Sequence, residues 1–222
     1  MSEGTARESA VTQQITAAGM VAILRSATAE HYEAIAEVLV TSGVRVLEIT
    51  LTAADALPAI ARLAAGYADT DVVIGAGTVL STDQAEACLE AGAAFLVSPA
   101  MTPDVLATAR IAGVPAYPGA LTPTEILTAH LSGASAVKLF PASAVTPRYL
   151  ADVRAPLSGI AIMPTGGIGI DDIPAWMAAG AAAVGLGSPL IGAAAVAGPD
   201  SALADRARRA VDAVAQVRGE RR

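Results

Sequence analysis

Two ionisable side chains stand inside apolar, strand-like runs, where a solvated charge is least at home. They are Lys138 in Ser135-Ala-Val-Lys-Leu-Phe-Pro141 and Glu48 in Val46-Leu-Glu-Ile-Thr-Leu51. Lys138 is the only lysine of the chain, against thirteen arginines. Successive side chains of a strand point to opposite faces. In the Val46 run, Leu47, Ile49 and Leu51 form a wholly apolar set, leaving Val46, Glu48 and Thr50 on the other face; the same parity groups Val137 with Leu139 and Lys138 with Phe140. Desolvation disfavours either charge alone, so the two read as partners. One role for them is a structural ion pair. The other is catalytic: an amine that attacks a ketone, which arginine cannot do, with a carboxylate beside it to move protons.

Further along, Pro164-Thr-Gly-Gly-Ile168 and Gly185-Leu-Gly-Ser-Pro189 each set glycine beside a hydroxyl after a strand-like run. Glycines there let backbone N–H groups approach an anion, or simply make tight turns. Thr165, Gly166, Gly167 and Ser188 are therefore candidate phosphate contacts. Arg25, at the end of another run, is either a surface residue or a partner for a substrate carboxylate. The loop Gly75-Ala-Gly-Thr78 offers amides and the Thr78 hydroxyl to the same anion, and Ser98-Pro99-Ala100 follows a fourth run. His31 and His130 lie in helical segments, and Asp171-Asp172 reads as a helix cap. With one cysteine and no His or carboxylate cluster at ligand spacing, neither a metal nor another cofactor is expected.

The elements that must position these residues recur along the chain. Strand-like runs begin at Val21, Val46, Val72, Phe95, Ala116, Ala136, Ala161 and Ala183, at intervals of 20 to 26 residues, enough for one helix and two short loops each time. Glycine punctuates helix ends before the next strand at Gly43, Gly92, Gly113, Gly133 and Gly180. The pattern predicts an α/β chain folded as a closed (β/α)8 TIM barrel, with an extra helix over Glu8–Ala18 covering its bottom and a closing helix over Ser201–Arg218. Residues 1–222 read as one barrel domain, with 1–19 forming the N-terminal cap and 219–222 a frayed tail. Barrels often bind phosphate in the loops after strands seven and eight, where the two glycine clusters fall.

Composition narrows the function. At 222 residues and 54% hydrophobic, the chain can bury one sizeable core. A net charge of -7 and a pI near 4.8 argue against nucleic acid as a partner. The lone Cys88 excludes a disulfide framework, reads as a buried filler and suits a reducing cytoplasm. The apolar tract Ala181–Gly198 is mostly Ala and Gly and is broken by Ser188-Pro189, so it is not expected to span a membrane. Met1–Ala10 carries Glu3, Arg7 and Glu8 with no apolar core, so no export signal is expected.

Taken in order, Gly43-Val-Arg-Val-Leu-Glu-Ile-Thr50, Ile74-Gly-Ala-Gly-Thr-Val79, Val97-Ser-Pro99, Tyr117-Pro-Gly119, Val137-Lys-Leu-Phe-Pro141 and Pro164-Thr-Gly-Gly167 resemble the 2-keto-3-deoxy-6-phosphogluconate (KDPG) aldolases. This class I group also includes 4-hydroxy-2-oxoglutarate (KHG) and 2-keto-3-deoxy-6-phosphogalactonate (KDPGal) aldolases. The resemblance, over about Met20–Ala193, implies that Lys138 forms an imine with the C2 ketone while Glu48 shuttles protons. The products would be pyruvate and glyceraldehyde 3-phosphate. It implies carboxylate binding by Arg25 and Thr78, a pocket lined by Pro99 and Phe140, phosphate binding by Thr165, Gly166, Gly167 and Ser188, and a homotrimer. Many relatives carry an arginine where this chain has Thr52, which leaves Arg25 as the principal cation for the carboxylate and opens the choice of sugar acid. A KHG or KDPGal aldolase, and a phosphosugar-binding barrel without catalysis, are the alternatives.

Overall fold

The computed structural model describes residues 3–219. Strands β1 (Met20–Leu24), β2 (Val46–Thr50), β3 (Val73–Gly77), β4 (Leu96–Val97), β5 (Ala116–Tyr117), β6 (Gly119–Ala120), β7 (Val137–Leu139), β8 (Ile162–Pro164) and β9 (Val184–Leu186) pair only in parallel. Helix α1 (Glu3–Ala18) precedes them. Then α2 (Tyr32–Thr41), α3 (Ala56–Gly66), α4 (Thr82–Glu90) and α5 (Pro103–Ala112) connect β1 through β5. Next, α6 (Pro123–Leu131), α7 (Pro147–Arg154) and α8 (Ile173–Ala178) connect β6 through β9, and α9 (Ser188–Ile191), α10 (Ala194–Ala197) and α11 (Leu203–Val217) follow. Among the described residues, no helix is long and apolar enough to cross a membrane.

Local chemistry sets these boundaries. Gly43, Gly92, Gly113, Gly133 and Gly180 all adopt positive φ, between 65° and 102°, as the repeated helix-to-strand phrase requires. Ser81, Thr122 and Thr146 cap the helices that follow them through their side chains. Thr122 and Glu125 complete a capping box, and proline fills the first turns of α5, α6 and α7.

The sheet is curled, running β5-β4-β3-β2-β1-β9 in one arc and β6-β7-β8 in another. A bridge between Thr165 and Gly185 links the end of β8 to β9. Nine strand segments appear where the sequence pattern counts eight runs, because the fifth run is divided at Pro118, which has no N–H for the ladder. Gly75–Thr78 is a second correction: β3 runs through Gly77, and only Thr78 begins the loop.

Side-chain parity follows the expectation. Leu47, Ile49, Val137 and Leu139 join the core between sheet and helices. Val46, Val21, Ile23, Val73, Phe95 and Met163 form an inner core within the curl, where Val11 and Ile15 of α1 pack against them. That helix begins at Glu3, earlier than the Glu8 expected from the sequence, and α11 spans nearly all of the Ser201–Arg218 segment. Of the expected tail, 220–222 lies outside the described residues, as do positions 1–2 of the N-terminal cap. Cys88 is buried as expected, and burial pushes its thiol up to about 12.

Candidate active site

Parity alone brings Glu48 of β2 and Lys138 of β7 into the same interior, above the inner apolar core. Lys138 is 6% exposed and Glu48 1%. Lys138 Nζ lies 3.8 Å from Glu48 Oε1, within ion-pair reach but beyond hydrogen-bond distance. Both carboxylate oxygens are buried, and neither has a hydrogen-bond partner among the described residues. Such orphaned acceptors are rare in native interiors and point to something that occupies the space beside them. Burial pushes the Glu48 carboxyl upward from the ordinary glutamate range, while the charges of Lys138 and then Arg25 oppose the shift without cancelling it. A carboxyl in this setting can hold, donate and retake a proton. The Lys138 ammonium also stands 5.2 Å from the centroid of the Phe140 ring, a cation–π distance.

Glycines make the room. A Cβ on Gly77 would fall 2.0 Å from Glu48 Oε1, so the carboxylate occupies space that only glycine leaves open. On Gly185 it would fall 2.4 Å from Thr165 Oγ1, and on Gly119 2.1 Å from the Pro99 carbonyl oxygen. These three positions line the interior because they alternate in register with the site residues; the sequence reading of Gly77 and Gly185 as parts of anion-binding loops missed this. The signal was present, since strand parity turns Gly77 to the same face as Glu48. Thr50 shares the face of Glu48, as its parity predicts, and Ser98 directly follows β4. Both are buried, with the Thr50 hydroxyl donating to the Leu24 carbonyl at 3.0 Å and the Ser98 hydroxyl to that of Val79 at 2.7 Å.

At the open end of the strands, Arg25 is exposed at the end of β1. Among the described residues it enters no ion pair or side-chain hydrogen bond, so its guanidinium is available to an anion. Thr78 follows β3 with φ 61°, the one non-glycine residue in the left-handed region among those described. A β-branched residue held there costs on the order of 1–3 kcal/mol, a strain that clusters at functional sites. Thr52 pairs its hydroxyl with that of Thr50 at 2.8 Å and carries no charge.

The second glycine cluster lies against the first part of the site. Gly166 and Gly167 have φ of 91° and 78°, and their N–H groups bond to no described residue. A Cβ on Gly166 would come 3.0 Å from the Phe140 ring, so this ring lies between Lys138 and the glycine loop. Ala142 and Ser143 donate their N–H groups to the Thr165 and Gly166 carbonyls at 2.8 and 2.9 Å, tying the turn after β7 to this loop. Ser188 is exposed at the start of the neighbouring loop. Thr165 differs from its companions: it is 2% exposed, and its hydroxyl donates to the Met163 carbonyl at 3.3 Å. Asp172 accepts the Gly169 N–H at 2.9 Å as a cap should, and Asp171 pairs with Arg209. No group of three or more His, Cys, Asp or Glu side chains that could hold a metal occurs among the described residues.

Comparison with known proteins converges on one family. A profile described as KDPG and KHG aldolase matches residues 11–206. The chain is 39% identical over 148 residues to a 2-dehydro-3-deoxy-phosphogluconate aldolase of Treponema pallidum, covering 65% of this chain and 68% of the relative. It is 36% identical over 172 residues to a 2-dehydro-3-deoxy-6-phosphogalactonate aldolase of Escherichia coli, covering 77% and 83%. Among solved structures, one described as native KDPGal superposes with a TM-score of 0.83 at 33% identity, covering 90% of this chain and 96% of that one. A Legionella pneumophila KDPG aldolase, with pyruvate captured as a covalent carbinolamine intermediate, superposes with a TM-score of 0.75 at 26% identity, covering 93% and 97%.

Proposed function

The chain belongs to the KDPG and KHG aldolase family, and from that premise we propose that it is a metal-independent class I aldolase cleaving 2-keto-3-deoxy-6-phosphogluconate to pyruvate and glyceraldehyde 3-phosphate. The observation that carries this reading is the buried Lys138–Glu48 pair, 3.8 Å apart, with the carboxylate oxygens otherwise unpartnered. A purely structural pair would be better served by direct hydrogen bonds or by apolar replacements.

In the proposed sequence, the neutral Lys138 amine attacks C2 of the ketone and the carbonyl oxygen takes up a proton. The carbinolamine then loses water to leave a protonated imine. Glu48 supplies and retakes these protons, partly through water. The C4 hydroxyl then gives up its proton as the C3–C4 bond breaks, and the bonding pair flows into the iminium as an enamine. The freed aldehyde is glyceraldehyde 3-phosphate. Protonation of the enamine at C3 and hydrolysis of the imine release pyruvate and regenerate the amine. The covalent pyruvate carbinolamine in the Legionella relative is the kind of adduct this sequence requires.

Arg25 and Thr78 take the substrate carboxylate in this reading, and Pro99 and Phe140 wall the pocket. The free amides of Gly166 and Gly167, with Ser188, cradle the phosphate, and the Thr165 hydroxyl forms the floor beneath them. The two sheet arcs read as parts of one closed (β/α)8 barrel, a single domain whose fifth strand is interrupted at Pro118. From its family we also infer a cytoplasmic homotrimer; Leu127 and Leu131, exposed one turn apart on α6, supply apolar surface for association. KHG, which carries a second carboxylate and no phosphate, is a second substrate, and KDPGal differs from KDPG only in stereochemistry at C4. Pyruvate release measured in parallel from KDPG, KDPGal and KHG tests the assignment. Turnover highest on KDPG supports it, and no pyruvate from any of the three would leave only a phosphosugar-binding barrel.

A further inference from the structure

Arg206, near the start of α11, is half-buried and carries an unusual number of contacts. Its Nε donates to the Leu190 carbonyl at 2.7 Å and its Nη2 to the Ile191 carbonyl at 3.0 Å. The same guanidinium meets Asp200 through both terminal nitrogens, at 3.2 and 3.0 Å, while Asp200 also accepts the Ala202 N–H at 2.9 Å. Leu203, Ala207 and Ala210 are buried and anchor the base of the side chain. Gly192, at φ 63°, is where a Cβ would come within 3.0 Å of the guanidinium. Three segments therefore meet at one planar cation: the turn after β9, the Asp200 loop and the closing helix.

The turn after β9 begins with Ser188 and is only four residues long. One helical turn fixes few of its own hydrogen bonds, so external contacts decide where it sits. Leu190 O and Ile191 O are end carbonyls of this turn that no further turn of helix would satisfy. Arg206 satisfies both. On the other flank, the Thr165–Gly185 bridge holds this loop beside the one carrying Gly166 and Gly167.

We propose that the Arg206–Asp200 pair is a positioning element for phosphate binding, fixing the Ser188–Gly192 turn so that Ser188 stays beside the free amides of Gly166 and Gly167. The inference rests on the reading that these residues hold the substrate phosphate. Arg206 touches no reacting atom and acts through the backbone of the turn. Its loss lowers affinity for the phosphate end and leaves the imine chemistry at Lys138 alone.

The test is steady-state kinetics of Arg206→Met, Asp200→Asn and Ser188→Ala with KDPG and with phosphate-free KHG, together with the inhibition constant of inorganic phosphate against KDPG. Removing a charge-assisted contact should raise the KDPG KM and the phosphate inhibition constant about tenfold in Arg206→Met, with kcat within about twofold. The KM for KHG should not move. Asp200→Asn keeps the arginine and its carbonyl contacts, and should shift the same two constants by about threefold, which keeps the test decisive if Arg206→Met does not fold. A purely structural role predicts a lower Tm with both substrates affected alike, and that result overturns the proposal. Ser188→Ala separates the premise from the inference. If it raises the phosphate inhibition constant while Arg206→Met and Asp200→Asn do not, the positioning role is wrong; if none of the three moves it, the phosphate site itself is misplaced and the proposal falls with it.

Discussion

Gly77→Ala is the most revealing single change at the site, because it adds one methyl group and no charge. Gly77 does not have a positive φ, so alanine is compatible with its backbone. The added Cβ would stand 2.0 Å from Glu48 Oε1, 2.6 Å from its Cδ and 2.7 Å from its Cγ. Three atoms in a row are too close, so rotating the carboxylate about its last bond does not relieve the overlap. To regain an ordinary 3.4 Å contact, Oε1 must retreat by about 1.4 Å. It lies 3.8 Å from the Lys138 amine, and both side chains are buried. A misplacement of about 1 Å at a proton-transferring group costs about 100-fold in rate, so kcat for pyruvate release should fall by roughly that factor. Gly75→Ala is the control: its Cβ would meet the Phe95 ring at 2.4 Å, in the inner core below the site. It should lower Tm by overpacking while leaving kcat of the folded enzyme nearly unchanged. Coupled measurement of pyruvate release on both variants, with melting curves alongside, decides the matter. A folded Gly77→Ala enzyme with kcat within about threefold of wild type would refute the claim that Glu48 must sit where this glycine lets it.

Other outcomes follow from the same geometry. Glu48→Gln should keep the fold and slow turnover by roughly two to four orders of magnitude, the scale for a general acid–base group; near-normal pyruvate release would remove Glu48 from the mechanism. The same variant should change stability with pH. Because burial raises the Glu48 carboxyl in the folded state, the native protein binds more protons than the unfolded chain between the two titrations, so wild type loses stability as pH rises through that window. Denaturant melts should therefore show Glu48→Gln gaining on wild type as pH rises above the ordinary glutamate range, and a gap that is constant with pH contradicts the raised titration. Arg25→Gln should raise KM for KDPG and KHG alike, by about 10- to 100-fold, since both carry the carboxylate next to the ketone. A shift confined to one substrate would assign Arg25 to a different end of the molecule.

Much of this arrangement was legible in the residues. Alternation in Val46–Leu51 and Ala136–Phe140 put Glu48 and Lys138 on inner faces, and the structure brings them within 3.8 Å. The glycines after five of the helices, Gly43, Gly92, Gly113, Gly133 and Gly180, marked the return to the sheet, and each of them adopts the left-handed conformation. What was not legible depended on neighbours distant in sequence. Gly77 looked like a loop glycine because the third run was ended at Gly75; carried on to Gly77, strand parity turns it to the face of Glu48, 29 positions earlier. Pro118 divides a strand whose continuity the spacing alone suggested. Thr165 reads from its motif as a phosphate contact; that its parity with Met163 turns it inward, to 2% exposure with its hydroxyl on a backbone carbonyl, is something the motif does not reveal. The Arg206 contacts could not be read at all, since they join a helix to a turn through backbone carbonyls, which any sequence possesses.

The central claim is that Lys138 is the nucleophile, and reduction of the trapped imine tests it most directly. The protein is incubated with saturating pyruvate and sodium borohydride, digested and mapped by mass spectrometry. Pyruvate bonded through C2 to the amine and then reduced should leave one stable adduct, on the peptide containing Lys138, with activity lost in proportion to labelling. Since this is the only lysine of the chain, no other lysine side chain competes for the label. An unmodified Lys138 under saturating pyruvate, in protein that still turns over KDPG, would contradict the account at its root.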